Sequence, residues 1–372
     1  MKHCIEVTVT SDMAKDGPTS HPATMEHPSR RAILRWSAVA ASTGLAFGCA
    51  PALSRAQAQQ EPRHWNLGNM PSQRGHRVLV TGGNGYPEED RSGLGYQDAL
   101  ALAKAGADVT IASRNRPRGE EAVRRIRQSA PEATIRFETL DLSNMASVAS
   151  FVDGMRAAGQ GLDLLINNAG VMGRPQRELT VDGYERVLAT NTIGHFALTA
   201  QLMPLLRAGR DPRVVWVCSL RAADSLDFDD LQQEKAYDYA AAYDRSKLAN
   251  LLLAFEMDRR SKAANWGVKS LAVHPGVART NLIPNGPGLD SREGRRFRTM
   301  PFLFQPAAQG ALSTLYAATT PQAVSGAYYG PTGIGGLRGP PGPVEPPVVA
   351  RDPALATPLW MAMERLGRTR FA

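Results

Sequence analysis

Residues 77–81, Arg-Val-Leu-Val-Thr, form a short β-branched run, and glycines follow at Gly82, Gly83, Gly85, Gly93 and Gly95. Residues 96–106 then read as an Ala/Leu-rich helix ending at Gly106, and a second apolar run, Val109-Thr-Ile-Ala-Ser113, comes directly after it. Strand, glycine loop, helix, strand is a narrow constraint. It predicts an α/β chain built on a single Rossmann-type doubly wound parallel sheet with helices on both faces.

The loop carries its own chemistry. Glycines let the backbone approach a pyrophosphate closely, and the helix N-terminus offers unpaired N–H groups and the positive end of the helix dipole. Further along, Leu162-Asp-Leu-Leu-Ile166 is another buried-strand candidate that runs into Asn167-Asn168-Ala169-Gly170, and small and amide residues at a strand's C-terminal end suit a ligand crevice. Asn191 follows within a helical stretch, and Val214-Val-Trp-Val217 is a strand ending in Cys218-Ser219. Then come Tyr243-Asp-Arg-Ser-Lys247 and Val273-His-Pro-Gly276 with Thr280.

Tyr243 and Lys247 stand four residues apart, on one face of a helix. A phenol with pKa about 10 is a poor proton donor or acceptor at neutral pH, and a nearby cation stabilises its phenolate. Tyr237 and Tyr239 are close competitors, but only Tyr243 has a lysine at +4. Taken singly, Ser219 reads equally as a turn hydroxyl, Asn167 and Asn168 as turn caps, and Thr280 as a helix N-cap.

In this order, the motifs over residues 76–335 resemble the short-chain dehydrogenase/reductase family. The resemblance rests on Thr81-Gly82-Gly83 with Gly93-Leu94-Gly95, on Asn167-Asn168-Ala169-Gly170, and on Asn191, Ser219, Tyr243, Lys247 and Pro275-Gly276. Ser246-Lys247-Leu248-Ala249-Asn250 and Gly326-Ala-Tyr-Tyr-Gly-Pro331 resemble the branch containing retinol dehydrogenase-like reductases. What the resemblance implies is hydride transfer between a nicotinamide and a carbonyl or alcohol. Tyr243 is then the general acid/base, and Lys247 lowers its pKa and bonds the nicotinamide ribose. Ser219 bonds the substrate oxygen, and Asn191 holds a relay water. Cys218 is assigned no role. The cofactor cradle implied is Thr81, Gly82, Gly83, Asn84, Gly93, Leu94 and Gly95, with Asn168, Ala169, Gly170, Pro275, Gly276 and Thr280 beyond it. Asp141 and Leu142, after the strand around 135–140, match the position that meets the adenine.

Relatives of this kind run from Thr-Gly-x-Asn directly into Ser-Gly-x-Gly, whereas here residues 85–91, Gly-Tyr-Pro-Glu-Glu-Asp-Arg, intervene between Asn84 and Ser92. Carboxylates of Glu88, Glu89 and Asp90 facing a pyrophosphate would repel it, so they are expected to point away. Loop-closure entropy rises slowly with length, so the insert is expected to bulge outward over the adenosine side. Gly85 belongs to either the insert or the cradle. If the bulge closes on the phosphates instead, the cofactor binds unusually tightly or not at all. At the end of the second strand stands Ser113-Arg114, with Arg116 and Arg118 nearby, where a carboxylate would select a free 2′-hydroxyl. Arginine there favours NADP over NAD, and a solvated basic turn is the alternative.

The N-terminus reads separately. Ser29-Arg30-Arg31 precedes an apolar stretch from Trp36 to Leu53, and Ala56-Gln57-Ala58 offers a small-x-small cleavage site. This resembles a twin-arginine export signal and predicts a periplasmic or otherwise exported enzyme, cytoplasmic if the leader is not used; Met25 is an alternative start. The expected organisation is a leader over 1–58, a linker over 59–75, the Rossmann domain over 76–335, and a Gly/Pro-rich tail with a closing helix over 336–372. The net charge of +8 is spread without aromatic-interleaved basic runs, which argues against a nucleic-acid partner. The histidines show no ligand spacing, so no metal is expected. Of the three cysteines, Cys4 and Cys49 lie in the leader and Cys218 stands alone. The segment from Asn281 to Phe304 is expected to act as a lid, with Met300, Phe302, Leu303 and Phe304 as an apolar lining for a small or lipophilic carbonyl or alcohol. A homo-oligomer fits the family, but no segment establishes it. A nucleotide-binding relative disabled by the insert, and an epimerase or dehydratase that recycles bound NADP, stay open as alternatives.

Overall fold

The computed structural model describes residues 64–371; the leader and its arginine pair lie outside the described residues. The main sheet has eight strands in the order β10-β9-β6-β5-β4-β1-β2-β3. They are β1 (Arg77–Thr81), β2 (Asp108–Ser113), β3 (Ile135–Thr139), β4 (Leu164–Asn167), β5 (Arg213–Val217), β6 (Lys269–Val273), β9 (Tyr328–Pro331) and β10 (Pro341–Pro343). A short parallel pair, β7 (Ala278–Arg279) and β8 (Gln305–Pro306), stands apart. All pairings in the main sheet are parallel except β9 with β10. Strands covered on both faces need apolar residues throughout, and the runs Val78–Thr81, Leu164–Asn167 and Arg213–Val217 are buried at every position.

The helices are α1 (Leu94–Lys104), α2 (Arg116–Ser129), α3 (Met145–Ala157), α4 (Arg186–Leu188), α5 (Gly194–Arg207), α6 (Tyr239–Ala263), α7 (Leu282–Asn285), α8 (Arg292–Thr299), α9 (Ala307–Thr319) and α10 (Pro353–Leu366). Their starts follow from local chemistry. Asn115 caps α2 through the Arg118 N–H, Asn144 caps α3, and Asp238 caps α6 by accepting from the Ala241 N–H at 2.7 Å. Helix α6 is buried around much of its circumference, which is why its 25 residues show no single apolar stripe.

The strand order reverses between β1 and β4, so the C-terminal ends of these strands flank a crevice. Apolar clusters lie on both sides of the sheet, one around Phe196, Trp216 and Leu252, the other around Ile111, Ile126 and Leu315.

The described residues of the stretches read from sequence as linker and tail, 64–75 and 336–371, include several that pack on the body. Trp65 packs edge-on against Tyr316, with ring centroids 5.6 Å apart. Helix α10 packs on α6 and buries Leu359, Trp360 and Met363. At about 1.5–3 kcal/mol per fully buried large apolar side chain, these three fasten the end of the chain firmly.

Candidate active site

Helix α6 brings Tyr243 and Lys247 to one face, opposite the ends of β4 and β5. The Lys247 ammonium lies 5.6 Å from the Tyr243 ring centroid and donates to the Val217 carbonyl at 2.9 Å. Both residues are buried. Ser219, just past β5, lies close enough to the Tyr243 phenol to favour its ionised form. Ser219, Tyr243 and Lys247 therefore lie together at this end of the sheet.

Asn191 sits in a π-helical turn, Ala189–Ile193, between α4 and α5. Its Oδ1 accepts from the Val171 N–H at 2.8 Å, and its Nδ2 donates to the Val171 carbonyl and to Ser246 Oγ, each at 3.0 Å. Both amide hydrogens are thus engaged, and the side chain ties the segment after β4 to α6. Single π-turns inside helices are rare and are frequently found at functional sites.

Burial governs the electrostatics. It raises the Tyr243 phenol above its ordinary range, opposed first by the neighbouring Ser219 side chain and then by the Arg221 guanidinium, 5.9 Å from the ring. Burial pushes the Lys247 ammonium down to about 8. Arg221 was not singled out from sequence. It pairs with Asp244 at 2.8 Å and approaches Glu293 of α8 at 3.7 Å. Tyr239 donates to the same Glu293 at 3.1 Å, so this rival tyrosine fastens α8 to α6. Cys218 is buried, its thiol pushed up to about 12 by desolvation, and so is inert at neutral pH.

The floor of the crevice is a hydrogen-bonded knot around Thr81. Its hydroxyl accepts from the N–H groups of Asn168 and Ala169, each at 3.0 Å, and the Asn168 amide donates to the Thr81 carbonyl at 2.7 Å. His195 Nδ1 donates to the Asn191 carbonyl at 3.0 Å, leaving Nε2 to accept at 2.9 Å from the Thr81 hydroxyl. Full burial holds this imidazole down to about 4, so it is neutral.

The glycines make the cradle. Gly82 has φ +73°, and a Cβ there would lie 2.8 Å from Ala169 Cα. One on Gly95 would lie 2.3 Å from Asn168 Nδ2, and one on Gly83 would lie 2.9 Å from Ile111 Cγ2. Gly93 begins α1 without a side-chain cap, which leaves that helix N-terminus free for an anion. A close-set glycine turn running into an uncapped helix end fits a dinucleotide pyrophosphate, with Asn84 and Leu94 at its edges.

The insert is closed at its neck. Gly93 N donates to the Gly85 carbonyl at 2.6 Å and Ser92 Oγ to the same oxygen at 3.1 Å, so Gly85 stands at the base of the loop. The Glu88 carboxylate pairs with Arg118, and Asp90 pairs with Arg279 at 2.5 Å. Tyr86 lies under two guanidiniums, Arg118 at 4.6 Å and Arg125 at 4.3 Å. Of the arginines expected to read the adenosine ribose, Arg118 is occupied and Arg116 pairs with Glu120. Arg114 is exposed and, among the described residues, forms no ion pair.

Other expected contacts are distributed unevenly. Asp141 accepts from the N–H and hydroxyl of Ser143, whereas the Leu142 side chain is buried in the core. Gly276 has φ +64°, Pro275 accepts from Gln305 Nε2 at 2.6 Å, and Thr280 Oγ1 accepts from the Leu282 N–H at 3.3 Å. Gly170 lies against the Lys247 ammonium. A cleft of about 420 Å³ opens at Ser219, lined by Leu220, His274, Tyr328, Pro331 and Pro346 among others. Its wall includes the C-terminal segment, which sequence reading did not place there. Met300 and Phe302 are exposed instead of lining it.

The short chain dehydrogenase family model matches residues 76–285, more than half of the chain. The chain belongs to this family. A mouse polyprenol dehydrogenase is 38% identical over 304 residues, covering 80% of this chain and 85% of the relative. Human retinol dehydrogenase 14 is 36% identical over 284 residues, with 69% and 78% covered. The crystal structure of an uncharacterized protein from Mycobacterium paratuberculosis superposes with a TM-score of 0.67 at 36% identity, covering 83% of this chain and 99% of that one. This short-chain dehydrogenase is an oxidoreductase of the nicotinamide-dependent class that acts on alcohol and carbonyl groups.

Proposed function

We propose that this enzyme interconverts a lipophilic alcohol and its carbonyl using NADP(H), with Tyr243 as the general acid/base. The observation that carries this is the convergence of Ser219, Tyr243 and Lys247 at the strand ends beside the glycine cradle. When bound, the nicotinamide supplies or takes the hydride. The protein's residues manage the proton and the developing charge. Ser219 and Tyr243 hold the substrate oxygen, and Tyr243 donates its proton there in reduction or withdraws it in oxidation. Lys247 and Arg221 supply positive charge that favours the phenolate. Asn191 acts as a positioning residue through its bonds to Val171 and Ser246.

The preference for NADP is read from Arg114, an exposed guanidinium just past the end of β2 that forms no ion pair among the described residues. A lipophilic substrate is supported by the largely apolar cleft at Ser219 and by the polyprenol and retinol dehydrogenases among the relatives. Titration of the chain from about residue 59 with NADPH and NADH, followed by nicotinamide fluorescence, tests this reading. Tighter binding of NADPH, lost in Arg114→Ala, is expected; failure to bind either dinucleotide overturns the function. We also propose that residues 1–58 direct export. Lysines in place of Arg30 and Arg31 should retain the protein in the cytoplasm on fractionation, and unaltered export would refute the signal.

A further inference from the structure

On the dinucleotide-binding reading, the seven-residue insert bears on cofactor exchange. The insert rises between two neighbours of the cradle. On the adenosine side, Glu88 makes a two-pronged contact with Arg118 in the first turn of α2, at 2.8 and 3.2 Å. Tyr86 is held there by Arg118 and Arg125, and Arg125 Nη1 donates to the Pro87 carbonyl at 3.2 Å. On the other side, Asp90 grips Arg279, which immediately precedes Thr280. Arg279 in turn lies 4.2 Å over the Phe297 ring and donates to the Phe297 carbonyl at 3.0 Å, joining the insert to α8 of the lid segment.

The sheet order places β2 with α2 on one side of β1, and β6 with the β7 segment on the other. A dinucleotide laid along the strand ends must pass the loop after β1. The insert springs from that loop and is fastened to both flanks, while its narrow neck leaves the glycine turn itself intact. Among the described residues, its third carboxylate, Glu89, pairs only with Arg91 of the insert itself.

We propose that residues 85–91 form a clasp across the cofactor groove, closed by the Glu88–Arg118 and Asp90–Arg279 pairs, which sets the rate of dinucleotide release. The clasp explains how three acidic residues are tolerated beside a pyrophosphate site: two of them are spent on arginines at opposite walls. It also makes Glu88 and Asp90 positioning residues for the cofactor.

The experiment is stopped-flow displacement of NADPH from the wild type, Glu88→Gln/Asp90→Asn, and Glu89→Gln. Two partly exposed ion pairs give an expected acceleration of release of about tenfold in the double variant. Glu89→Gln, which removes one negative charge without cutting either anchor, should release NADPH at the wild-type rate. Amide exchange over residues 85–92 in the dinucleotide-free protein should quicken in the double variant alone. Equal release rates in all three proteins, or slower release from the double variant, would overturn the clasp while leaving the cofactor assignment in place. If the wild type binds no nicotinamide dinucleotide, the functional reading falls and the clasp with it.

Discussion

Asp98 is a carboxylic acid in the wrong place for a charge. It sits in α1 fully buried, and neither carboxylate oxygen has a hydrogen-bond partner among the described residues. Helix α1 packs on α9, where a Cβ on Gly310 would touch Leu94 Cδ2 at 3.0 Å. Asp98 lies one turn beyond Leu94, and Thr314, whose hydroxyl also lacks a partner, lies one turn beyond Gly310. Desolvation raises the Asp98 carboxyl well above the carboxylate range. The native protein therefore keeps a proton that the unfolded chain has lost above about pH 4. Stability contributed at this site is intact below that pH and falls as pH rises, by about 1.4 kcal/mol per unit, until the native carboxyl ionises. Asp98→Asn keeps the shape and cannot titrate. Its stability relative to wild type should rise as pH increases above about 4, with a slope of up to about 1.4 kcal/mol per pH unit while the native carboxyl stays protonated, on top of a pH-independent offset. Urea denaturation of both proteins across this range measures the difference. Parallel stability profiles would refute the reasoning, because they would mean that the carboxylate is charged and solvated in the folded state.

Other consequences follow from the cradle and the buried lysine. In Gly95→Ala, the new methyl must displace the Asn168 amide from its bond to the Thr81 carbonyl, costing about 1–3 kcal/mol and weakening dinucleotide binding; unchanged melting and affinity would contradict the packing. Lys247 titrates at about 8, and bound pyrophosphate favours its charged form, so NADPH affinity should be greatest below that pH and fall above it. Binding calorimetry from pH 7 to 9.5 should show this slope in wild type and lose it in Lys247→Met; a slope that persists in the variant would assign it to another group.

The parts of the site written in local patterns were legible in sequence. Strand, glycine turn and helix are consecutive in the chain, so Gly82, Gly83, Gly93 and Gly95 and the strand after them could be placed by spacing alone. Tyr243 and Lys247 share a face because helical periodicity fixes it. The closing helix expected within 336–372 is α10, Pro353–Leu366. What sequence left out depends on contacts between distant segments. Arg221 looks like any surface arginine until Asp244 and Glu293 orient it beside Tyr243. Tyr328, whose hydroxyl donates to the Ser219 carbonyl at 3.1 Å, was visible only as part of a branch motif. The anchoring of the insert was equally hidden, since Glu88 meets Arg118 across 30 residues and Asp90 meets Arg279 across 189. Composition made 336–372 look like a tail, yet its proline-rich strand pairs with β9 because an edge strand tolerates missing N–H donors.

The central claim is that Tyr243 moves the proton during hydride transfer from NADPH to a lipophilic carbonyl. The direct measurement is single-turnover oxidation of bound NADPH by a panel of long-chain and isoprenoid aldehydes and ketones, for the wild type and Tyr243→Phe. Turnover by the wild type is expected and, since acid catalysis contributes about 10²–10⁴-fold, a loss of that order in the variant with NADPH affinity retained. Equal rates in the two proteins, or NADPH bound by the wild type yet never oxidised by any carbonyl, would contradict it.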